Sequence, residues 1–196
     1  MKEFVFLYPI PEYIDHEVKN HGWFEKGGTE VYREKYKGTL NECINLQYRK
    51  KGFGINYVIF DGHAISDTVD VQPPDRIIEA GMDFETHTTK QSNGEFLYPD
   101  PDHILNQISE IKTVRIAGFH LWDCVERLAR RAHERGLDVL VDEDLTELFG
   151  GMLKQPGFTI DKFPSFDPRT LGDSLYQSFI TARREGPWLW QDYPEF

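Results

Sequence analysis

The sequence predicts a three-layer α/β/α domain with a mostly parallel sheet over about residues 1–155, and a C-terminal extension over 156–196. Three observations predict it. A chain of 196 residues, 39% of them hydrophobic, is long enough for one real core and too short for two full-sized ones. A strand at Thr113–Phe119, a helix from Asp123 to Arg135 and a strand at Asp138–Val141 follow one another closely. That succession is a βαβ unit, whose two strands lie parallel beneath the covering helix. Upstream, a short apolar strand and a helix–strand pair precede the unit, as an α/β chain requires.

Taken in order, Phe4-Val5-Phe6-Leu7 is the first strand, stopped by Pro9 and Pro11. From about Thr29 to Lys51, Tyr32, Tyr36, Leu40, Cys43, Ile44 and Tyr48 recur mostly at three- and four-residue steps, which predicts a helix. Gly52 and Gly54 close it, and Ile55–Phe60 follows as a strand. Asp61–Asp75, with Pro73-Pro74, is a loop, and Arg76–Thr89 has the β-leaning chemistry of a strand. Ser92-Asn93-Gly94 is a turn, and Asp100-Pro101-Asp102 opens a short helix through Ile111. Asp123-Cys124-Val125-Glu126 has the spacing of a capping box, and Gly136 ends the helix that it starts. A second helix is expected from about Leu145, capped by Asp144 with Glu147 at its third position. The tail carries a helix near Thr170–Arg184 and Trp188 and Trp190, and is expected to pack on the domain or on a partner subunit, the latter making a homo-oligomer.

Composition narrows the function. With 33 acidic and 22 basic residues the net charge is -11, which repels a phosphate backbone, so no nucleic-acid partner is expected. Arg127, Arg130, Arg131 and Arg135 are interrupted by Glu126 and Glu134 and read as a solvated helix face. Mean hydropathy is -0.54 and no apolar run approaches a membrane span, so no membrane partner is expected. Two cysteines and no signal-like opening fit a reducing cytoplasm. No glycine-rich phosphate loop is present, and Cys43 falls on the apolar side of its helix.

Cys124 is the most informative residue. At the first helical position after Asp123 it would meet unpaired backbone N–H groups and the positive end of the helix dipole, both favouring a thiolate. Open α/β folds also place ligands at the C-terminal ends of their strands. The alternative is a small apolar cysteine sealing the strand–helix junction. Gly118, Cys124-Val125, Ala129, Ala132, Gly136, Val139, Val141, Asp144 and Thr146 together resemble the nucleophile segment of the isochorismatase-like cysteine hydrolases. That superfamily includes nicotinamidases and N-carbamoyl amidohydrolases.

The resemblance implies roles for other residues. The family carries a lysine at the end of a strand about three dozen residues before the cysteine, with a phenylalanine six residues later. Lys90 and Phe96 match that spacing. Such a lysine would lower the thiol pKa and hold a developing oxyanion; a solvated turn lysine is the alternative. The family's first strand ends in an aspartate that acts as general base, whereas this strand runs Phe6-Leu7-Tyr8-Pro9. Glu12 and Asp15 are the nearest carboxylates, and His120, four residues before Cys124, is a third candidate acid or base. Trp122 and Phe119 are candidate substrate contacts.

Asp61-Gly62-His63 is similar to the Asp-x-His metal pair of the nicotinamidase branch, with His87 as a conceivable third ligand for Zn²⁺ or Fe²⁺. A loop-capping aspartate beside a surface histidine is the alternative, and no cofactor is required by the chemistry. Asp142-Glu143-Asp144 could hold Mg²⁺ or cap the following helix. The expected function is that of a divergent cysteine hydrolase attacking a small amide, imide or carbamoyl carbon through Cys124. The alternative is a non-catalytic scaffold of the same type that binds a small ligand or serves in assembly.

Overall fold

A computed structural model describes residues 1–22, 27–108 and 110–146. The expected extension over 156–196 lies outside the described residues. Five strands form one parallel sheet: β1 (Lys2–Leu7), β2 (Gly54–Ile59), β3 (Arg76–Glu79), β4 (Thr113–Gly118) and β5 (Asp138–Thr146). Their spatial order is β3-β2-β1-β4-β5, so Val58, Val114 and Val139 lie on parallel strands as expected. β1 is central, with Phe4 beside Ile55 on one flank and Arg115 on the other.

Alternation along β1 explains the three layers. Val5 and Leu7 face one side with Val58, Ile78, Val114, Ile116 and Val141. There α4 (Pro101–Asn106) supplies Ile104 and Leu105, and α5 (Glu126–Glu134) supplies Leu128, Ala129 and Ala132. Phe4 and Phe6 face the other side with Ile55 and Tyr57. That face is covered by α1 (Pro11–Gly22), through Ile14 and Val18, and by α2 (Gly28–Cys43), through Tyr32, Tyr36, Leu40 and Cys43. Cys43 is thus core, and Tyr48, on a π turn continuing α2, stacks on Phe4 at 3.9 Å.

Four local expectations are corrected. Pro11 does not merely stop β1: it opens α1, because proline suits the first helical turn and Glu12 complements the dipole there. The strand expected over Arg76–Thr89 ends at Glu79. Residues Phe84–Thr88 instead form the short helix α3, whose N-cap Asp83 accepts from the Thr86 backbone N–H. Leu145 does not begin a helix; β5 runs to Thr146, which pairs with Gly118 after a register shift. Asp142 does not start a helix; it lies on β5, where Tyr48 Oη and Leu145 N–H donate to it.

The Asp123 capping box is also absent. Val125 is the N-cap of α5 and has no side-chain bond, while Asp123 Oδ1 accepts from Arg127 Nε at 3.2 Å. The basic run on α5 is paired with acids throughout. Arg130 meets Glu126 at 2.8 Å, and Arg131 forks onto Asp102 with both bonds at 2.8 Å. It is a solvated, charge-paired face, as its spacing suggests.

Candidate functional site

β1 runs to β2 and β3 on one side, and the chain then returns to β4 on the other. The C-terminal ends of β1 and β4 therefore mark the topological switch point, the place where open α/β sheets bind ligands. The segments leaving these strands bring Tyr8, Glu12 and Tyr13 from β1 together with Phe119, His120 and Cys124 from β4. Phe60 and His63 come from β2.

Tyr8 holds the centre. It stands where the resembled family carries its general base, in the left-handed region at φ 56°, which bulky residues rarely adopt. Two backbone bonds of 2.7 Å, to and from Val58 and Ile10, fix it there. Its ring stacks on Phe60 at 4.2 Å, and its hydroxyl neighbours the Cys124 thiol, each acting on the other's ionisation. Burial first, and then the thiol and neighbouring Tyr13, hold the phenol well above its ordinary pKa. Tyr8 is a neutral donor, not a base. Sequence reasoning passed over it, although its place at the end of the first strand was the available signal.

Cys124 is 5% exposed, and burial, with Asp123 next to it in effect, pushes its thiol up to about 12. The Tyr8 hydrogen bond and Arg127 pull the other way and do not offset that. Burial and Asp123 oppose the expected thiolate for a physical reason: a charge there is desolvated, and the nearest carboxylate repels it. Cys124 lies inside a π turn, Leu121–Val125, in which Asp123 is non-helical, and it precedes the α5 N-cap Val125 rather than occupying the first helical position.

Lys90 is not brought to the thiol. It is exposed on a turn, its ammonium 5.5 Å from the Phe96 ring centroid, and the charges acting on Cys124 are Asp123 and Arg127. The family's lysine ends a strand; here the strand ends at Glu79, and buried Ala80 follows it, donating to Ile59 O at 2.9 Å. Spacing matched Lys90 because α3 and its flanking turns separate it from β3. Lys90→Ala is accordingly expected to change stability by no more than about 0.5 kcal/mol, as surface substitutions do. Urea unfolding and the Cys124 alkylation rate check this, and a changed pH profile of alkylation would return Lys90 to the site.

The remaining candidates divide. Asp15 pairs with Arg33 at 2.7 Å, on α2. Glu12 lies 3.6 Å from His63 Nε2, and His120 meets the Tyr13 ring edge-on at 4.7 Å. Phe119 is 2% exposed and packs against Phe6, so it is core rather than a pocket wall. Trp122 lies within the π turn that carries Cys124. The peptide between Phe119 and His120 is cis.

Asp61, His63 and His87 do not converge. Asp61 Oδ1 accepts from Gly81 N at 2.8 Å, and His87 Nδ1 lies 2.8 Å from Leu97 O with its ring stacked on Phe60. Among the described residues no group of three or more His, Cys, Asp or Glu side chains is placed to hold a metal. No helix among them is long and apolar enough to cross a membrane.

The buried thiol and phenols make the fold sensitive to alkali. Burial raises Cys124, Tyr8, Tyr36 and Tyr57 above their ordinary values. In the unfolded chain thiols ionise near about 8.5 and phenols near about 10, so the folded state binds more protons above that range. Stability is therefore complete below about pH 8.5 and lost as pH rises toward about 12. Urea midpoints measured across that window should fall steadily; a flat profile would contradict the burial of these groups.

No family model and no curated protein matches the chain. Among solved structures, it is similar to the crystal structure of an N-carbamoylsarcosine amidase from Thermoplasma acidophilum. The two are 20% identical with a TM-score of 0.45, over 74% of this chain and 83% of that one. That likeness is distant and bears on neither substrate nor catalytic residue.

Proposed function

We propose that this protein binds a small polar ligand at the switch point and does not hydrolyse it. The observation that carries the reading is the burial of Cys124, 5% exposed, beside Asp123, whose charge opposes ionisation of the thiol. In the isochorismatase-like hydrolases that its β4–α5–β5 segment resembles, an aspartate and a lysine serve the cysteine. Here Tyr8 and Ala80 occupy the corresponding strand ends, so neither proton acceptor nor oxyanion cation is supplied from them.

Binding is supported by what surrounds the thiol. Glu12 and His63 are partly exposed, at 45% and 26% of their side-chain surface, above a floor of packed rings. Tyr13 and His120 are half-buried beside them. A carboxylate, a phenol and two imidazoles above packed aromatic rings can orient a small amide or amine by hydrogen bonds.

The test uses a panel of small amides, ureas and carboxylates. Ring resonances of His63 and His120 should shift on ligand addition, with the ligand recovered intact. Cys124→Ala should keep both the fold and the shifts. Release of ammonia that depends on Cys124 would restore the hydrolase reading, and unmoved resonances throughout would remove the binding one.

A further inference from the structure

The turn between α3 and α4 contains chemistry that the binding site does not use. Six asparagines occur in the sequence, and Asn93 alone is followed by glycine. Residues 92–95 are exposed. Gly94 has φ +84° and open space where a Cβ would stand, so residue 94 itself carries no side chain to hinder approach to its nitrogen. The side chain is held at both ends by one residue. Asn93 Oδ1 accepts from the Glu95 backbone N–H at 3.0 Å, and Asn93 Nδ2 donates to Glu95 Oε2 at 2.8 Å.

We propose that Asn93 is a self-modifying site that converts to aspartate and isoaspartate through a cyclic imide, with the Glu95 N–H acting as oxyanion donor. Gly94 N forms a bond to Asn93 Cγ while its proton passes to water. Negative charge then develops on Oδ1, where the Glu95 N–H already points. The Oδ1 charge collapses to a carbonyl, the Cγ–Nδ2 bond breaks, and Nδ2 takes a proton from water and leaves as ammonia. Water opens the imide at either carbonyl, giving aspartate or the isomer with one more carbon in the main chain. Before the attack Gly94 N–H must leave Gln91 O, to which it donates at 2.8 Å; on an exposed turn that bond opens to solvent readily.

The product changes the loop. A carboxylate at position 93 faces the Glu95 carboxylate, so repulsion replaces the hydrogen bond that closed the turn. The same loop carries Phe96 and Leu97, 39% and 43% exposed, and is tied to the site's ring cluster by Leu97 O and His87 Nδ1. Conversion therefore loosens an apolar tip next to the site, and its rate rises with pH because the attacking amide must lose a proton.

Full-length protein aged in mildly alkaline buffer, digested and separated by chromatography with mass detection, tests this. Asn93 is expected to convert before the other five asparagines, to give both acidic isomers. Glu95→Pro, which lacks the N–H donor, should slow conversion by roughly tenfold or more. Conversion of Glu95→Pro at the wild-type rate would overturn the donor's role. An amide that persists at Asn93 in the folded chain but is lost in urea would overturn the site itself. Neither result depends on ligand binding, so the two proposals fail separately.

Discussion

Iodoacetamide at about pH 7 is expected to leave Cys124 unmodified in the folded protein and to alkylate it only when the chain opens. With its thiol pushed up to about 12, far less of it is ionised at neutral pH than of an ordinary thiol. Burial at 5% exposure removes access as well. Cys43, at 0% exposure in the other core layer, should be equally silent, so adding urea should release both together. Mass spectrometry of timed aliquots reads this directly. Labelling of Cys124 in the folded protein at or above the rate of free cysteine would reveal a thiolate and revive the nucleophile. Tyr8→Phe separates the causes: it removes the donor that favours ionisation, so its native labelling should be no faster than the wild type's.

Gly118→Ala should produce one of the largest stability losses available to a single methyl group. Gly118 ends β4 at φ +116°, and a Cβ there would lie 2.2 Å from Leu7 O and 2.6 Å from Leu7 N. The obstacle is the backbone of the central strand, which cannot swing aside as a side chain can. A loss of about 4 kcal/mol or more is expected, lowering Tm by roughly 10 °C. Gly136→Ala is the control: its φ is +75° with no atom within 4 Å, so it carries conformational strain alone. That strain costs about 1–2 kcal/mol. Equal losses for the two would show that the close approach of β4 to Leu7 is not what position 118 requires.

The glycine belongs to the part of the fold that was legible in the sequence. β4, α5 and β5 are contiguous, and their apolar spacing, Gly118 and Gly136 mark strand, helix and turn within one local stretch. Legibility failed where the answer depended on distant residues. Pro9 and Pro11 read as a stop, but only docking on Phe4 and Phe6 of β1 shows that Pro11 opens a helix burying Ile14 and Val18. Lys90 matched a spacing counted in residues, while the lysine's role depends on where a strand ends, and α3 intervenes. Cys124 was identified from its neighbours in the chain, yet its protonation is set first by burial, which the packing of distant elements on the sheet produces. A local pattern can name a cysteine; what surrounds it is settled by the sheet.

That same strand order governs when the protein can begin to fold. β1 is made first, yet Lys2 pairs with Thr113 and Leu7 with Gly118, so one whole edge of the central strand waits for most of the described chain. At about 5–20 residues per second, the ribosome leaves that apolar edge unpaired for several seconds or more. The helices α1 and α2 can cover Phe4 and Phe6 meanwhile, but Val5 and Leu7 gain their α5 cover only after β4. Pairing across so long a loop places refolding at the slow end, in the range of milliseconds to seconds. Chains halted before about residue 113 would present an open strand edge to one another, which makes truncated translation products the form of this protein most prone to aggregate.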